Sequence, residues 1–245
     1  MKVLDLFSGI GGFSLGLHRA GMQTVAFCEI NPFCRQVLAK HWPEVPIYHD
    51  IRTLTAARLA ADGVVPDIIC GGFPCQDLSV AGKGVGLTGA RSGLWFEFLR
   101  IIAEVGPRWC IIENVPALRT RGLDTVLGGL AAIGYDAEWH CIPAAALGAP
   151  HRRDRVWIVA YANSGRHATE REPVLGGSNS AQKNGEADFA FAKLATCDWA
   201  TEPSVGRVAA RVPRRVDRLR ALGNAVVPQI PEAIGRAIMA AEAGP

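Results

Sequence analysis

Two residues in this chain have the types and the settings for covalent chemistry. Cys75 stands in the run Gly72-Phe73-Pro74-Cys75-Gln76, and Glu113 stands in Glu113-Asn114-Val115. A thiolate can add to an electrophilic carbon, and a nearby carboxyl can donate a proton to the group that gains charge. Each has a plainer reading. Most of the seven cysteines (28, 34, 70, 75, 110, 141 and 197) are expected to be small buried hydrophobes. Glu113 alone could be a surface or capping acid. The cysteine number is odd and no Cys-x-x-Cys pair occurs, which argues against a disulfide framework and against a zinc site. No metal is expected.

The elements around these residues decide where they stand. Residues 2–7 read as a buried parallel strand, followed by the turn Gly9-Ile10-Gly11-Gly12 and a helix from Phe13 to Ala20 closed by Gly21. Thr24 to Cys28 is a second strand ending in Glu29, and a helix from Pro32 to Lys40 follows. Further strands are expected at Asp67–Cys70, Trp109–Ile112, Tyr135–Cys141 and Arg155–Ala160, with helices at Gly93–Val105, Leu123–Ile133 and Pro231–Ala241. Strands alternating with helices imply an α/β fold on a mostly parallel sheet. Cys75 and Glu113 both follow strand C-terminal ends, the edge where open α/β sheets bind ligands. That placement separates Cys75 from its six fellows.

The same edge suits a nucleoside. A glycine turn between strand and helix exposes backbone N–H groups, and Glu29 at the next strand end can accept from both ribose hydroxyls. Asp50, after an apparent third strand, could read an adenine amino group. The pattern Gly9-x-Gly11-Gly12 is not a full dinucleotide fingerprint, and fits S-adenosylmethionine at least as well.

The 245 residues suffice for one substantial domain with a small satellite, and 49% apolar residues can build a core. No apolar run reaches the roughly 20 residues that cross a membrane, and the N-terminus lacks a signal-peptide layout, so a cytoplasmic protein is expected. The net charge of +3 says little, but its distribution says more. Arginines 207, 211, 214, 215, 218 and 220 face one acid, Asp217, and Arg152, Arg153 and Arg155 form a second cluster. Such runs are either a solvated face or a phosphate-binding surface. Residues 163–188 are rich in Gly, Ser, Asn, Glu and Arg, and read as a long surface loop or insert.

Taken together and in order, these segments resemble the cytosine-C5 DNA methyltransferase family. Asp5-Leu6-Phe7-Ser8-Gly9-Ile10-Gly11-Gly12 looks like its cofactor motif and Gly72-Phe73-Pro74-Cys75-Gln76 like its nucleophile loop. Glu113-Asn114-Val115 looks like its catalytic-glutamate motif, Arg153-x-Arg155 like its basic motif, and Gly223-Asn224-Ala225-Val226-Val227-Pro228 like its last motif. The compact form, with the stretch from Val212 to Leu219, is most similar to short phage or prophage members.

The resemblance implies a Rossmann-like S-adenosylmethionine-dependent methyltransferase sheet with a small target-recognition domain. It implies catalytic residues Cys75, Glu113, Arg153 and Arg155, with Cys75 adding to cytosine C6, Glu113 at N3 and the arginines at O2. The cytosine must be flipped out of its duplex. Phe7, Gly9, Gly11, Gly12, Glu29, Ile30, Asp50, Ile51, Pro74, Asn224 and Val226 are implied to surround the cofactor. The last helix should then pack back onto the first part of the chain. Residues 1–160 with 216–245 would form the catalytic domain and 161–215 the recognition region. Gln76, Ser79, Arg207, Arg211, Arg214 and Arg215 are expected to touch double-stranded DNA. The expected protein is a monomer, with a cognate restriction endonuclease as a possible partner. One departure is His151, where the family has Gln; histidine still donates hydrogen bonds. Another is the short recognition region.

Three other classes compete. An RNA-methylating branch carries a Cys-Phe-Thr motif that is absent here. An inactive regulator would be expected to lack Cys75 or Glu113, and a dinucleotide oxidoreductase would need neither Pro74-Cys75 nor Glu113-Asn114-Val115.

Overall fold

A computed structural model describes residues 1–74, 93–163 and 213–243. Seven strands form one sheet: β1 (Lys2–Leu6), β2 (Gln23–Cys28), β3 (Ile47–Tyr48), β4 (Ile68–Gly72), β5 (Trp109–Asn114), β6 (Tyr135–Pro143) and β7 (Asp154–Ala162). Their spatial order is β3-β2-β1-β4-β5-β7-β6. The first five run parallel, and β7 lies antiparallel between β5 and β6. The expected mostly parallel α/β sheet is therefore present.

Period-two alternation in the central strands feeds two cores. Leu4, Ile69, Ile112 and Ile158 face one side, with Trp95, Phe98 and Ile102 of helix α4 (Gly93–Val105) and Val126 and Leu130 of helix α6 (Leu123–Ala132). Val3, Ile68, Ile111 and Val159 face the other, with Phe13 and Leu17 of helix α1 (Gly12–Arg19) and Ile234 and Ile238 of helix α8 (Gln229–Ala243). Both faces are covered, as parallel strands require.

The remaining helices are α2 (Pro32–His41), α3 (Ala56–Ala61), α5 (Leu118–Arg121) and α7 (Arg215–Asn224), with a 3-10 turn at Ala144–Leu147. Asn31 caps α2, its side-chain oxygen accepting from the Phe33 amide at 2.9 Å. None of α3, α5 and α7 was expected from the sequence pattern.

The last helix packs back onto the first, as expected. Gly16 permits it: a Cβ there would lie 2.2 Å from the Pro228 carbonyl oxygen. At the other end of α8, the Trp109 indole donates to Glu242 Oε1 at 2.9 Å. Among the described residues no helix is long and apolar enough to cross a membrane. β7 runs to Ala162, past the expected boundary at 160, and nearly all of the expected recognition region lies outside the described residues.

Candidate active site

The chain passes from β1 to α1 through a left-handed turn. Phe7, Gly9 and Gly11 have φ of 52°, 54° and 86°. Phe7 is the costly one, since only glycine takes this region freely. The Ser8 hydroxyl donates to the Asp5 carbonyl at 2.5 Å, and the Gly11 amide donates to the Ser8 carbonyl at 2.9 Å. These bonds hold the turn closed. No side chain caps the start of α1, so its first amides remain available to a ligand.

Glu29 braces the turn from the end of β2. Its Oε2 accepts from the Gly9 amide at 2.8 Å and its Oε1 from the Asn31 amide at 2.7 Å. An ionised carboxylate has acceptor capacity beyond these two bonds, enough for a pair of ribose hydroxyls. Beside it Ile30 is 62% exposed, an apolar side chain open to a ligand. Gly12 is pressed by the C-terminal segment: a Cβ there would sit 2.6 Å from the Val226 carbonyl oxygen. Asp50 is engaged with its neighbour Arg52, whose Nη2 lies 2.5 Å from its Oδ2, and this pairing lowers the Asp50 pKa. Ile51 is buried. Asn224 is exposed at the end of α7, so of the two C-terminal residues expected near the cofactor turn, Val226 is the one pressed against it.

Beneath this turn, Asp5 is fully buried and accepts from the Ser14 hydroxyl at 2.7 Å. Burial pushes its carboxyl up to about 7, against the hydrogen bond from Ser14.

The second half of the site lies where β4 and β5 end together. Gly72 pairs with Glu113 in register. A Cβ on Gly72 would stand 2.6 Å from Glu113 Oε2, so the glycine makes room for that carboxyl. Asn114 then ties the strand to the chain leading to Cys75: its Nδ2 donates to the Phe73 carbonyl at 3.0 Å. Phe73 is itself buried against Trp95, ring centroids 5.3 Å apart. Pro74 follows, and Cys75, Gln76 and Ser79 lie outside the described residues.

Glu113 is gripped from β7, where Arg155 Nε lies 2.8 Å from its Oε1. Burial raises the Glu113 pKa, while the charges of Arg155 and Arg153 pull the other way. The carboxyl therefore keeps a proton to higher pH than an exposed glutamate and remains able to donate one. Arg153 goes elsewhere. Its Nη2 donates to the carbonyls of Gly223 at 2.9 Å and Ala225 at 2.6 Å. Arg214 donates to Gln36 on α2, and Arg215 begins α7 at the surface. Arg207 and Arg211 lie outside the described residues. A cavity of about 730 Å³ opens beside the glycine turn, with Gly11, Gly12, Trp42, His151, Arg153 and Val226 in its walls.

Reasoning from sequence missed Asn114 as a lock, Asp5 as a buried acid and the C-terminal partners of Arg153. The first carried a signal: an amide following an acid at a strand end. The others arise only from folding.

A model of the C-5 cytosine-specific DNA methylase family matches residues 1–194. The chain belongs to that family. It is 39% identical over 168 residues to the type II methyltransferase M2.BsuMI of Bacillus subtilis, covering 65% of this chain and 42% of that protein. It is 33% identical over 199 residues to the type II methyltransferase M.AquIA of a Picosynechococcus species, covering 74% of this chain and 80% of that protein. Among solved structures, it resembles a putative DNA modification methyltransferase encoded in an Escherichia coli prophage, with a TM-score of 0.57 and 28% identity. That match covers 67% of this chain and 47% of the other. The chain thus spans less than half the length of two of these three relatives. A Schizosaccharomyces pombe Dnmt2 methyltransferase, 24% identical with a TM-score of 0.55, shares the fold. The glycine turn, Gly72 and Glu113 all fall inside the matched region.

Proposed function

We propose that this chain is a DNA (cytosine-5-)-methyltransferase acting on a cytosine flipped out of double-stranded DNA, with S-adenosylmethionine as the methyl donor. The observation that carries the reading is the Gly72–Glu113–Arg155 grouping: a glycine that makes room for a buried carboxyl, the carboxyl, and a guanidinium on it. Asn114, next to Glu113, donates to the Phe73 carbonyl, which precedes Pro74-Cys75 in the sequence.

The residues around the β1 turn fit S-adenosylmethionine. Open amides at the start of α1 suit its carboxylate, Glu29 its ribose hydroxyls, and the exposed Ile30 its adenine face. Bound there, it would supply an electrophilic methyl group. Phe7, Gly9, Gly11, Gly12, Asp50, Ile51, Pro74, Asn224 and Val226 complete the proposed surround.

The chain's own residues do the rest. The Cys75 thiolate forms a bond to cytosine C6, and the ring's electrons move towards C5 and N3. Glu113 hydrogen-bonds or protonates N3, offsetting the charge that develops there. Arg155 holds Glu113 in place and is proposed to face O2; family resemblance implies that role for Arg153 too, but its Nη2 donates to the Gly223 and Ala225 carbonyls. C5, made nucleophilic, would take the methyl group as its bond to the donor's sulfonium sulfur breaks, leaving S-adenosylhomocysteine. A base then removes the C5 proton and the bond to Cys75 breaks, restoring the ring. Gln76, Ser79, Arg207, Arg211, Arg214 and Arg215 are proposed contacts to the DNA.

Covalent trapping tests this. A duplex carrying 5-fluorocytosine should form a stable adduct with the protein only when S-adenosylmethionine is present, and none with Cys75→Ala. Methylation by Cys75→Ala at the wild-type rate would overturn the reading. Bisulfite sequencing of DNA from expressing cells would give the recognised context, from which a cognate restriction endonuclease can be sought.

A further inference from the structure

We infer that Arg153 is a positioning residue, the latch that holds the C-terminal segment against the cofactor turn, leaving Arg155 as the arginine that serves Glu113. The inference rests on the proposed methyltransferase reading for its cofactor, but not for its geometry.

Arg153 and Arg155 point to different partners. Arg155 lies 2.8 Å from Glu113. Arg153 Nη2 reaches 70 residues along the chain, to the Gly223 carbonyl at 2.9 Å and the Ala225 carbonyl at 2.6 Å. Those carbonyls close α7, at the end where the last carbonyls lack helical partners and the dipole is negative. The last turn of α7 contains no basic residue of its own. Arg153 supplies from β7's entrance the cation that this turn lacks. Its backbone is bent to do so, with φ of 39°, a left-handed conformation that a residue with a side chain holds only when its surroundings impose it.

The segment so held is the one pressed on the turn. Val226 follows Ala225 directly, and its carbonyl oxygen is 2.6 Å from where a Gly12 Cβ would be. Arg153 and Val226 also share the walls of the same cavity. Release of the two carbonyls would let Val226 move off Gly12, loosening the turn whose amides meet the cofactor. A base-holding arginine would instead leave cofactor binding untouched and act only when DNA is bound.

The test measures S-adenosylhomocysteine binding to the full chain without DNA, by calorimetry, together with amide exchange over residues 225–227. Arg153→Ala should weaken binding about tenfold or more, the scale of a lost charge-assisted pair of hydrogen bonds, and speed exchange of those amides. Arg155→Ala should change neither by more than about twofold, a few tenths of a kcal/mol, because its guanidinium is on Glu113 and not on the C-terminal segment. Arg153→Lys, which keeps the charge but not the fork, should recover part of both and serves if the alanine variant fails to fold. Unchanged exchange in Arg153→Ala, or in Arg153→Lys if only that variant folds, overturns the latch. Wild-type protein that does not bind S-adenosylhomocysteine overturns the methyltransferase reading instead, while the exchange measurement still decides the latch.

Discussion

Gly72→Ala should separate the stability of this fold from its chemistry. The added Cβ would stand 2.6 Å from Glu113 Oε2. Ordinary contact begins near 3.4 Å, so the carboxyl must retreat by about 0.8 Å. The obstacle is the far end of a side chain, which can rotate, so the backbone of β4 and β5 need not move. An off-rotamer Glu113 costs about 0.5–1.5 kcal/mol, and the chain stays folded. The same rotation strains the 2.8 Å contact with Arg155 and displaces the proposed proton donor. A 1 Å misplacement of a reacting group costs about 100-fold in rate. The expected outcome is a single-turnover methyl-transfer rate about 100-fold lower on a cytosine duplex, with S-adenosylhomocysteine affinity unchanged. Gly71→Ala is the contrasting control. Its Cβ would lie 2.4 Å from the Leu6 carbonyl oxygen, which is backbone and cannot turn aside, so about 1–3 kcal/mol of stability should go. A folded Gly72→Ala that transfers methyl within about threefold of wild type, under half of a tenfold step in barrier, would refute the claim that Glu113's position matters.

Two further outcomes are expected. Asp5 titrates near 7 in the fold against 3.8 when free, because burial disfavours its charge. The unfolded chain therefore ionises first, and this group's contribution to stability falls as pH rises from about 4 to about 7, then levels. Asp5→Asn, which cannot ionise, should gain on wild type over that window by at most about 4 kcal/mol in urea melts; a difference that stays constant from pH 5 to 8 would sink the assignment. Gly16→Ala places a Cβ 2.2 Å from the Pro228 carbonyl oxygen and 2.9 Å from the Glu232 amide, both backbone. It should cost about 1–3 kcal/mol and be read as a lower thermal midpoint, since α8 must lift from α1.

The sequence made the sheet legible because local signals agreed. Apolar runs marked β1 and β4, glycines marked the turns, and Pro32 marked the start of α2. Glu113 could be set at a strand end for the same reason. Strand direction was not written locally: nothing in Asp154–Ala162 distinguishes a parallel strand from the antiparallel one that β7 is. Helix α7 was read as a basic run, since its arginines hide a period that buries only Ala221. The partners of Arg153 are 70 and 72 residues away, and no spacing rule reaches that far. Asp5 looked like one letter of a cofactor motif, and only the packing of α1 over β1 makes it a buried acid.

The strand order brings the ends of β1, β4 and β5 side by side, as the proposed chemistry on one base requires. β1, β4 and β5 are neighbours, with Leu6 beside Gly71 and Gly72 beside Glu113. Adjacent strands lie about 4.8 Å apart, so the ends of β1 and β5 are separated by about 10 Å, with the end of β4 between them. A cytosine ring placed over that middle strand end would face the methyl donor on one flank and Glu113 on the other. Across the ring from N3 lies C6, the carbon that Cys75 is proposed to attack, and C5 is the neighbour of C6 that would take the methyl group. The crossover from β3 to β4 creates this arrangement, because it carries the chain to the far side of β1 and opens the cleft between the β1 and β4 ends. A sheet with β4 outside β3 would keep every motif and lose the alignment.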